Sequence, residues 1–376
     1  IYDGVEVAHT QRLHDVAEDK EVVYVPCHRS HFDYLLLGYV LYEQGLQTPH
    51  IAAGINLNLP VVGPILRSGG AFFLRRSFRD NPLYAAVFNK YLSLNLAKGV
   101  PIEYFIEGGR SRTGRLRPAR PGMLSMTVRS FVRRPVRPLV FVPVYFGYER
   151  LIEGESYLSE LSGKAKERES LLGLVRGLKF LSSRFGKVYV NFGEPIELAG
   201  LLDAARPDWR AEAAASDERP AWVQGVVRDL GSRILTGINS VAAVNPVALL
   251  ATVLLSTPKR SILETDLLHM IELHLALIEG APYGPGVTCS ELTARQIIDY
   301  GEQFGLLQRR THKLGDIIWL QERSAILVSY FRNNVAHIMA LPSLLACAFF
   351  DRPELPVADL KGTVSRVYPY LRSELF

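Results

Sequence analysis

The sequence predicts an α/β protein with a mixed, mostly parallel β-sheet flanked by helices, followed by a mainly α-helical region with a small hairpin. Short apolar runs alternate with longer helical patterns in the first half of the chain, as they do in α/β sheets. Beyond residue 220 the pattern is almost entirely helical. The chain has 376 residues, of which 48% are hydrophobic and 22% charged, and this suits two globular domains.

Each predicted strand of the first half is a short apolar run bounded by polar or glycine-containing segments. The strands are predicted at residues 22–26, 50–55, 71–74, 103–106, 139–146 and 188–192. Helical patterns cover residues 33–43, 82–97, 122–132 and 167–184. We expect the first strand to begin only at Glu21. We also predict a linker or surface connection at 201–220, where Ala, Asp, Arg and Pro dominate.

The second half of the chain predicts helices and one hairpin. The helices are expected at residues 222–238, 247–255, 264–278, 290–304 and 323–341, and the hairpin strands at 306–309 and 316–321. The predicted domains are therefore 1–200 and 221–376. A helix followed by a hairpin is also a feature of DNA-binding winged helices. Because residues 290–304 carry Glu291, Asp299 and Glu302 against Arg295 alone, we predict that no nucleic acid binds.

Charge, cysteine content and missing motifs exclude several classes of protein. The formal net charge is only +5, so the chain as a whole is not a polybasic binder. Cys27, Cys289 and Cys347 lie far apart in the sequence, which favours a reducing compartment such as the cytoplasm. No GxSxG, P-loop or GxGxxG motif occurs, and no cluster has metal-ligand spacing. We therefore predict no metal and no cofactor.

The sequence contains no obvious membrane-spanning segment. No apolar stretch reaches the ~18 uninterrupted residues that a spanning helix needs, and the run at 241–255 is broken by Asn245 and Pro246. We expect any membrane contact to come from one side. Because the chain opens at Ile1 without a methionine, we also expect it to be the interior of a longer polypeptide.

The segment 23–42 places polar residues directly after an apolar strand, where α/β proteins carry their sites. Asp33 can accept a hydrogen bond from Nδ1–H of His28, which leaves Nε2 free to take a proton from a hydroxyl. Alternatively, Ser30 caps the following helix, Asp33 completes a capping box, and His28 is an ordinary loop residue. The spacing leaves both interpretations open. His31 is expected to face solvent.

Two other predicted strands end in basic sequence. Arg75 and Arg76 follow the strand at 71–74, and at most one of them can face a site because neighbouring residues of a strand point to opposite faces. After the strand at 103–106 come a carboxylate, glycines that allow close approach of a ligand, and arginines that suit an anion, namely Glu107, Gly108, Arg110 and Arg112. Residues 110–150 hold ten arginines and one acidic residue, which indicates either an anionic ligand or a solvated basic surface.

The strand predicted at 139–146 contains Pro143, which lacks a backbone N–H. By default we predict that the strand belongs purely to the core. The alternative is an edge or a distorted position, which a proline within a strand indicates and which would make this wall of the sheet irregular.

Taken together, these segments resemble the glycerol-3-phosphate/lysophosphatidate acyltransferase family. The matching blocks are a histidine with an aspartate five residues later (His28, Asp33), a GxxFxxR block ending at Arg76, a FxEGxRxRxG block from Phe105 to Gly114, and a strand with Pro143. Three sequence segments are similar to the bacterial, membrane-associated glycerol-3-phosphate 1-O-acyltransferases of that family, namely VPCHRSHFDYLLL, EGGRSRTGRL and YVNFGEP. Those proteins are longer at both ends, so the chain resembles their central portion.

The resemblance implies a glycerolipid acyltransferase-like fold and transfer of a fatty acyl group from an acyl carrier protein or coenzyme A thioester to the sn-1 hydroxyl of sn-glycerol 3-phosphate, at the start of phospholipid synthesis. It implies a peripheral or monotopic location on the cytoplasmic side of the inner membrane, against membrane phospholipids. It also implies a catalytic domain at 1–200 with catalytic residues His28, Asp33 and Glu107. The substrate-binding residues that it implies are Arg76, Gly108, Arg110, Arg112 and Pro143.

Two other hypotheses remain at this point. The chain could be a non-catalytic protein that binds anionic membrane surfaces through its basic residues at 110–137 and its apolar run at 59–66. It could also acylate another glycerol phosphate, such as dihydroxyacetone phosphate. We also predict that the apolar run, with Val61, Val62 and Ile65, docks on the membrane beside four arginines, namely Arg67, Arg75, Arg76 and Arg79.

Overall fold

The computed structural model describes residues 2–60, 62–75, 81–154, 157, 185–215 and 221–375. The helix predicted at 167–184 lies outside these residues, and so do Val61 and Arg76.

The described residues form thirteen strands and thirteen α-helices. The strands are β1 Gly4–Ala8, β2 Glu21–Pro26, β3 His50–Gly54, β4 Ala71–Leu74, β5 Ile102–Glu103, β6 Leu139–Tyr148, β7 Lys187–Phe192, β8 Ile196–Glu197, β9 Ala243–Val244, β10 Ser261–Leu263, β11 Thr288–Cys289, β12 Leu307–Arg310 and β13 Ile317–Leu320. The helices are α1 Gln11–Ala17, α2 Asp33–Glu43, α3 Val62–Ser68, α4 Pro82–Ala97, α5 Pro121–Arg133, α6 Leu198–Ala205, α7 Trp209–Ala215, α8 Val223–Asn239, α9 Pro246–Ser256, α10 Glu264–Gly280, α11 Ala294–Gln303, α12 Glu322–Ala348 and α13 Val357–Leu375.

The main sheet confirms the predicted mixed, mostly parallel arrangement. Its strand order is β1-β7-β6-β2-β5-β3-β4, and β8 pairs with β6 beside this path. The pairs β1–β7, β2–β6, β2–β5, β3–β5 and β3–β4 are parallel. The pairs of β6 with β7 and β8 are antiparallel. The carboxyl ends of β2 and β6 therefore meet at one edge, and the predicted site begins there.

The prediction that the strand with Pro143 belongs to the core is confirmed, because β6 lies inside the sheet and all ten of its residues are buried, and the alternative of an edge is excluded. The carbonyl of Pro143 accepts the N–H of Gly193 at 2.8 Å. The N–H that proline lacks would point to the same side of the strand. On that side the partner of β6 changes from β8, paired as far as Phe141, to β7, paired from Val144. The proline therefore sits where a ladder hydrogen bond is dispensable.

The chain before Glu21 contains regular structure, so the prediction that the first strand begins only at Glu21 is wrong. β1 pairs in parallel with β7 at the end of the sheet, and α1 follows it. This strand of five residues alternates Val5 and Val7 with Glu6 and is only half-buried, which is a weak pattern in a sequence. Its position at the edge of the sheet accounts for that pattern, because an edge strand is covered on fewer sides.

The described part of the predicted linker or surface connection, residues 201–215, contains helical structure. α6 and α7 cover 198–205 and 209–215. The side chain of Trp209 is fully buried, packs 5.9 Å from the ring of Phe131, and donates its indole N–H to Asp203 at 2.8 Å. One buried tryptophan thus fixes an otherwise polar segment against α5.

The second half confirms the predicted helices and hairpin. β12 and β13 pair antiparallel, β10 adds to β13, and α11 precedes this small sheet. α12 continues to Ala348 through Pro342, beyond its predicted end at 341. The apolar residues of α8 and α9 belong to the same hydrophobic cluster as those of the main sheet. The core is therefore continuous across the predicted domain boundary.

Candidate active site

The candidate site begins where β2 ends. After Pro26 the chain leaves the sheet, crosses the carboxyl end of β6, and enters α2 at Asp33. Cys27 N–H donates to Val144 O at 3.0 Å, and the Cys27 thiol lies 3.7 Å from the carbonyl of Phe146. Both contacts fix the start of the 27–32 turn to β6. His28 is thereby held at a defined place above the sheet.

His28 and Asp33 form the predicted pair. Nδ1 of His28 lies 3.0 Å from Oδ2 of Asp33, and because a carboxylate only accepts, Nδ1 carries the proton. The same oxygen accepts the backbone N–H groups of Arg29 at 2.6 Å and Ser30 at 2.9 Å. The other oxygen of Asp33 accepts the hydroxyl of Tyr148. Asp33 is fully buried, so its orientation is set by four hydrogen bonds and not by solvent.

The alternative capping box is realised only in part. Phe32, not Ser30, is the N-cap of α2, and it makes no side-chain cap hydrogen bond. Ser30 Oγ nevertheless accepts the N–H of Phe32 at 3.1 Å, and Asp33 accepts the N–H of Ser30. The carboxylate of Asp33 therefore fixes the turn and orients His28 at the same time. The two interpretations of the sequence are not exclusive.

The second ring nitrogen of His28 faces aromatic neighbours. Nε2 lies 3.3 Å from the hydroxyl of Tyr34, and the ring stacks on Phe105 with centroids 3.9 Å apart and an interplanar angle of 26°. Burial lowers the pKa of His28 below its ordinary value of 6.5, the hydrogen bond to Asp33 opposes this, and the nearby cation of Arg110 lowers the pKa further. His28 is therefore neutral near pH 7, with a lone pair on Nε2.

Glu107 holds the backbone of this site. Its Oε1 accepts the N–H of His28 at 2.8 Å, and its Oε2 accepts the N–H of Arg117 at 2.7 Å. Burial raises the pKa of Glu107 to about 7, while the two backbone hydrogen bonds lower it. Both oxygens are thus occupied by backbone donors. These contacts hold the backbone on both sides of the site, and the catalytic role that the resemblance implies for Glu107 stays a prediction.

Gly108 and Gly114 allow the loop after β5 to approach its neighbours closely. Gly108 has φ of +67°, and a Cβ there would lie 2.4 Å from Cδ of Arg120. Gly114 has φ of +85°, and a Cβ there would lie 2.1 Å from the carbonyl oxygen of Tyr330 in α12. Both positions need glycine. The loop also returns to the base, because Ser111 N–H donates to the carbonyl of His28 at 2.8 Å.

Arg110 and Arg112 lie next to one another on Tyr157. Their guanidinium carbons are 5.6 Å and 4.7 Å from the centre of the Tyr157 ring. Arg110 Nη1 also donates to the Tyr157 hydroxyl at 3.1 Å and lies 3.3 Å from Oε1 of Glu153. The Arg110 cation lowers the pKa of His28, so it lies within electrostatic reach of the base. The structure thus brings together His28, Asp33, Glu107, Gly108, Arg110 and Arg112.

The other residues singled out in the sequence are Arg76, Pro143 and His31. Arg76 lies outside the described residues, and its neighbour Arg75 is exposed, with its guanidinium 4.9 Å from the centre of the Tyr84 ring. Pro143 packs in the sheet against two glycines. A Cβ on Gly193 would lie 3.1 Å from Cβ of Pro143, and a Cβ on Gly237 would lie 2.7 Å from its Cγ. His31 is half-buried, although we expected it to face solvent.

Residues that the sequence did not single out complete the site. Tyr34 and Phe105 surround the imidazole, Tyr148 holds Asp33, and Glu153 connects the 27–32 turn with Arg110. Phe105 is the first residue of the FxEGxRxRxG block, but the sequence alone assigns no function to its ring. Glu153 follows β6 by five residues, and a carboxylate shortly after a strand that ends at the site edge is a signal that could have been used.

A cavity of about 440 Å³ opens beside the site. It runs between α2, β3, α3 and β4, and Tyr34 contributes to its wall. The side chains of Leu35, Tyr39 and Ile65 also line it, yet each is more than half exposed. We call these three side chains the cavity rim.

Metal binding has no evident place in the described part of the chain, where no group of three or more His, Cys, Asp or Glu side chains could hold an ion.

Comparison with protein families places the chain. The model described as "Glycerol-3-phosphate acyltransferase C-terminal region" matches residues 157–376, and the model described as "Acyltransferase" matches residues 5–147. The chain belongs to the glycerol-3-phosphate acyltransferase family. The acyltransferase match ends at the carboxyl end of β6 and so includes both the His28 and the Arg110 segments.

Curated members of the glycerol-3-phosphate acyltransferase family are similar over the whole chain. A glycerol-3-phosphate acyltransferase of Pseudomonas putida is 50% identical over 377 residues, which include 100% of this chain and 45% of that protein. Those of Pseudomonas fluorescens and Ectopseudomonas mendocina are each 49% identical, with 100% of this chain matched to 45% and 46% of theirs. The chain thus spans about half the length of the curated relatives that it matches.

Among solved structures, this glycerol-3-phosphate acyltransferase family member is similar to the 1-acyl-sn-glycerophosphate acyltransferase of Thermotoga maritima. The TM-score is 0.33 at 19% sequence identity, over 61% of this chain and 72% of that chain.

Proposed function

We propose that the chain carries the catalytic site of an acyltransferase. The site transfers a fatty acyl group from an acyl carrier protein or coenzyme A thioester to the sn-1 hydroxyl of sn-glycerol 3-phosphate, giving 1-acyl-glycerol 3-phosphate. One observation carries this proposal: Nδ1 of His28 lies 3.0 Å from the buried carboxylate of Asp33, which leaves Nε2 to accept a proton. The pKa of His28 is lowered by burial and by the charge of Arg110, which favours the same role. Family membership supports the same chemistry.

The proposed reaction needs a base and no protein nucleophile. Nε2 of His28 takes the proton of the acceptor hydroxyl as its oxygen attacks the thioester carbon. The C–O bond forms, the C–S bond breaks, and the proton passes from His28 to the departing thiolate. Cys27 is an unsuitable nucleophile because burial raises the pKa of its thiol to about 12. Direct transfer therefore fits the site better than an acyl-enzyme.

The arginines supply the site for the phosphate of the acceptor. A phosphate monoester carries nearly two negative charges, and a guanidinium matches its oxygens with two parallel hydrogen bonds. Arg110 and Arg112 stand together on Tyr157, within electrostatic reach of His28. In this proposal Arg110 and Arg112 bind the phosphate while the hydroxyl lies at Nε2. Arg76 and Pro143 remain predicted contributors to substrate binding. Arg76 lies outside the described residues, and the contacts given for Pro143 are with Gly193 and Gly237.

The cavity beside Tyr34 suits the acyl chain of the donor. The Tyr34 hydroxyl lies 3.3 Å from Nε2, so a chain in this cavity would have its reactive end near the base. Leu35, Tyr39, Ile51 and Ala53 give the wall apolar side chains. Each buried methylene group contributes about 0.8 kcal/mol to binding, so even a few seated methylene groups are worth several kcal/mol.

We further propose that the protein is peripheral to the cytoplasmic face of the inner membrane and docks through the cavity rim. Leu35 and Tyr39 are 54% and 53% exposed, and Ile65 is 64% exposed. The exposed Arg67 lies on α3 two residues from Ile65 and can meet anionic lipid headgroups. No helix within the described ranges is long and apolar enough to cross a membrane. Docking here would open the cavity toward lipid.

The test is release of free thiol from an acyl-coenzyme A thioester by the purified protein. We expect release only when sn-glycerol 3-phosphate is present, with one acylated product per thiol. Release without an acceptor would indicate a thioesterase, and no release under either condition would favour the non-catalytic membrane binder. A higher rate with dihydroxyacetone phosphate would assign the other acceptor. The His28→Ala variant in the same assay controls for contaminating activity.

A further inference from the structure

Glu153 is a carboxylate that connects the two functional halves of the site. Its Oε1 accepts the backbone N–H of His31 at 2.8 Å and lies 3.3 Å from Nη1 of Arg110. The hydroxyl of Ser30 donates to the same carboxylate, 2.9 Å from Oε2. Ser30 and His31 lie midway between His28 and Asp33. A single side chain thus holds the turn that carries the base and the arginine proposed to bind phosphate.

The surroundings make this link stiff. The side chains of Glu153 and Arg110 are only 13% and 9% exposed, so water competes little for their hydrogen bonds. The N–H of Tyr157 donates to the backbone carbonyl of Glu153 at 2.9 Å, and the hydroxyl of Tyr157 donates to the carbonyl of Arg29 at 2.9 Å. A Cβ on Gly154 would lie 3.3 Å from the side chain of Leu327, so the segment that carries Glu153 also packs closely on α12.

We propose that Glu153 is a positioning residue that fixes the separation between Nε2 of His28 and the guanidinium of Arg110. This inference rests on the proposed function. An acceptor that is held by its phosphate at Arg110 reacts only if its hydroxyl reaches Nε2, and small misplacements reduce the rate strongly. Glu153 therefore selects acceptors in which three carbon atoms separate the reactive hydroxyl from the phosphate ester oxygen, as they do in glycerol 3-phosphate.

A purely structural role would have different consequences. Glu149 offers the comparison, because it is a buried carboxylate only four residues earlier that accepts hydrogen bonds from Lys187 N–H, Tyr189 and Tyr300. These contacts join β6 with β7 and α11, and none involves His28 or Arg110. Glu149→Gln should lower the melting temperature without changing acceptor selectivity. It is the matched control for Glu153→Gln.

The experiment compares three acceptors with the wild-type protein, Glu153→Gln and Glu149→Gln. The acceptors are sn-glycerol 3-phosphate and hydroxyalkyl phosphates with one carbon fewer or one carbon more between hydroxyl and phosphate. Glu153→Gln keeps an oxygen for the N–H of His31 but loses the charge that holds Arg110. We expect its KM for glycerol 3-phosphate to rise about 10- to 100-fold. The KM for the acyl thioester should stay within about twofold, and the preference for the three-carbon spacing should shrink.

A second comparison tests whether Glu153 acts through Arg110. If it does, Arg110→Ala and the double variant Arg110→Ala/Glu153→Gln should have the same KM for glycerol 3-phosphate. Additive effects, an unchanged spacing preference, or equal increases of both KM values in Glu153→Gln would overturn the role of Glu153. Absence of acceptor-dependent thiol release from the wild-type protein would instead overturn the proposed function, and this inference with it.

Discussion

At the scale of single residues, the carboxylate of Asp33 both orients His28 and fixes the 27–32 turn, so it fits both interpretations of the sequence, the pair with His28 as the base and the helix cap. It accepts hydrogen bonds from the His28 ring, from two backbone N–H groups and from Tyr148. An amide at this position would turn a donor toward one of these four donors, and the site is fully buried. Asp33→Asn should therefore lose stability as well as activity.

His28 consequently gives the cleaner test of base catalysis. General base catalysis typically contributes ~10²–10⁴-fold, so His28→Ala should lose at least a hundredfold in kcat. Its circular dichroism spectrum should show a folded protein, although loss of the buried ring should lower its melting temperature. Near-normal turnover of a folded His28→Ala protein would refute the assignment.

The pH dependence of the reaction gives an independent test of His28. In the proposed mechanism the neutral imidazole is the active form, and burial lowers its pKa. Activity should therefore be full near pH 7 and fall as the pH decreases through a value below 6.5, which kcat/KM measured from pH 4.5 to 8 would show. The Arg110 cation contributes to lowering this pKa, so Arg110→Met should move the acid limb upward. An acid limb above pH 6.5 in the wild-type protein would contradict this account.

At the scale of elements, the loop after β5 depends on its contact with α12. The positive φ of Gly114 and its approach to the Tyr330 carbonyl leave no room for a Cβ. The adjacent carbonyl of Thr113 accepts a hydrogen bond from the Asn333 side chain at 2.8 Å. Gly114→Ala combines backbone strain of about 1–3 kcal/mol with a clash against backbone atoms. We expect it to lower the free energy of unfolding by at least ~2 kcal/mol.

Urea denaturation measures this effect, and Gly225→Ala in α8 is its control. A Cβ at Gly225 meets no atom within 4 Å, so alanine there should be neutral or stabilise the helix by about 0.5–1 kcal/mol. If the two variants have the same stability, the contact between the loop and α12 is unimportant.

The same scale shows what the sequence can and cannot predict. β2, β3, β4, β6 and β7 were predictable because each is a compact apolar run. His28, Asp33 and Arg110 were predictable because each follows a strand that ends at one edge of the sheet. β1 escaped because its five residues alternate weakly at the edge of the sheet. The role of Glu153 escaped because it depends on residues 30, 31 and 110 meeting in space, which no local pattern encodes.

At the scale of the whole molecule, the helical half forms part of the support of the site. The guanidinium of Arg29 is buried and lies 4.6 Å from the centre of the Tyr145 ring in β6. Its positive charge opposes the rise in the pKa of Tyr330 in α12 that burial causes, so α12 lies near the turn that carries the base. Arg29 follows His28 directly in the chain. The 27–32 turn therefore contacts β6 and lies near the helical half of the chain.

The cavity rim lies on α2 and α3, the elements that the proposed docking places against the membrane. The cavity rim places Leu35, Tyr39 and Ile65 at the surface there, whereas Val62 of the predicted docking run is half-buried. Leu35→Ser/Tyr39→Ser/Ile65→Ser should shift the protein from the bilayer to the soluble fraction, because insertion of exposed apolar side chains beside basic residues drives interfacial binding. Flotation with vesicles containing phosphatidylglycerol measures the shift. Leu314→Ser is the control, since Leu314 is 85% exposed in the turn between β12 and β13. If the triple variant floats as well as wild type while the Leu314 variant does not, the helical half docks instead.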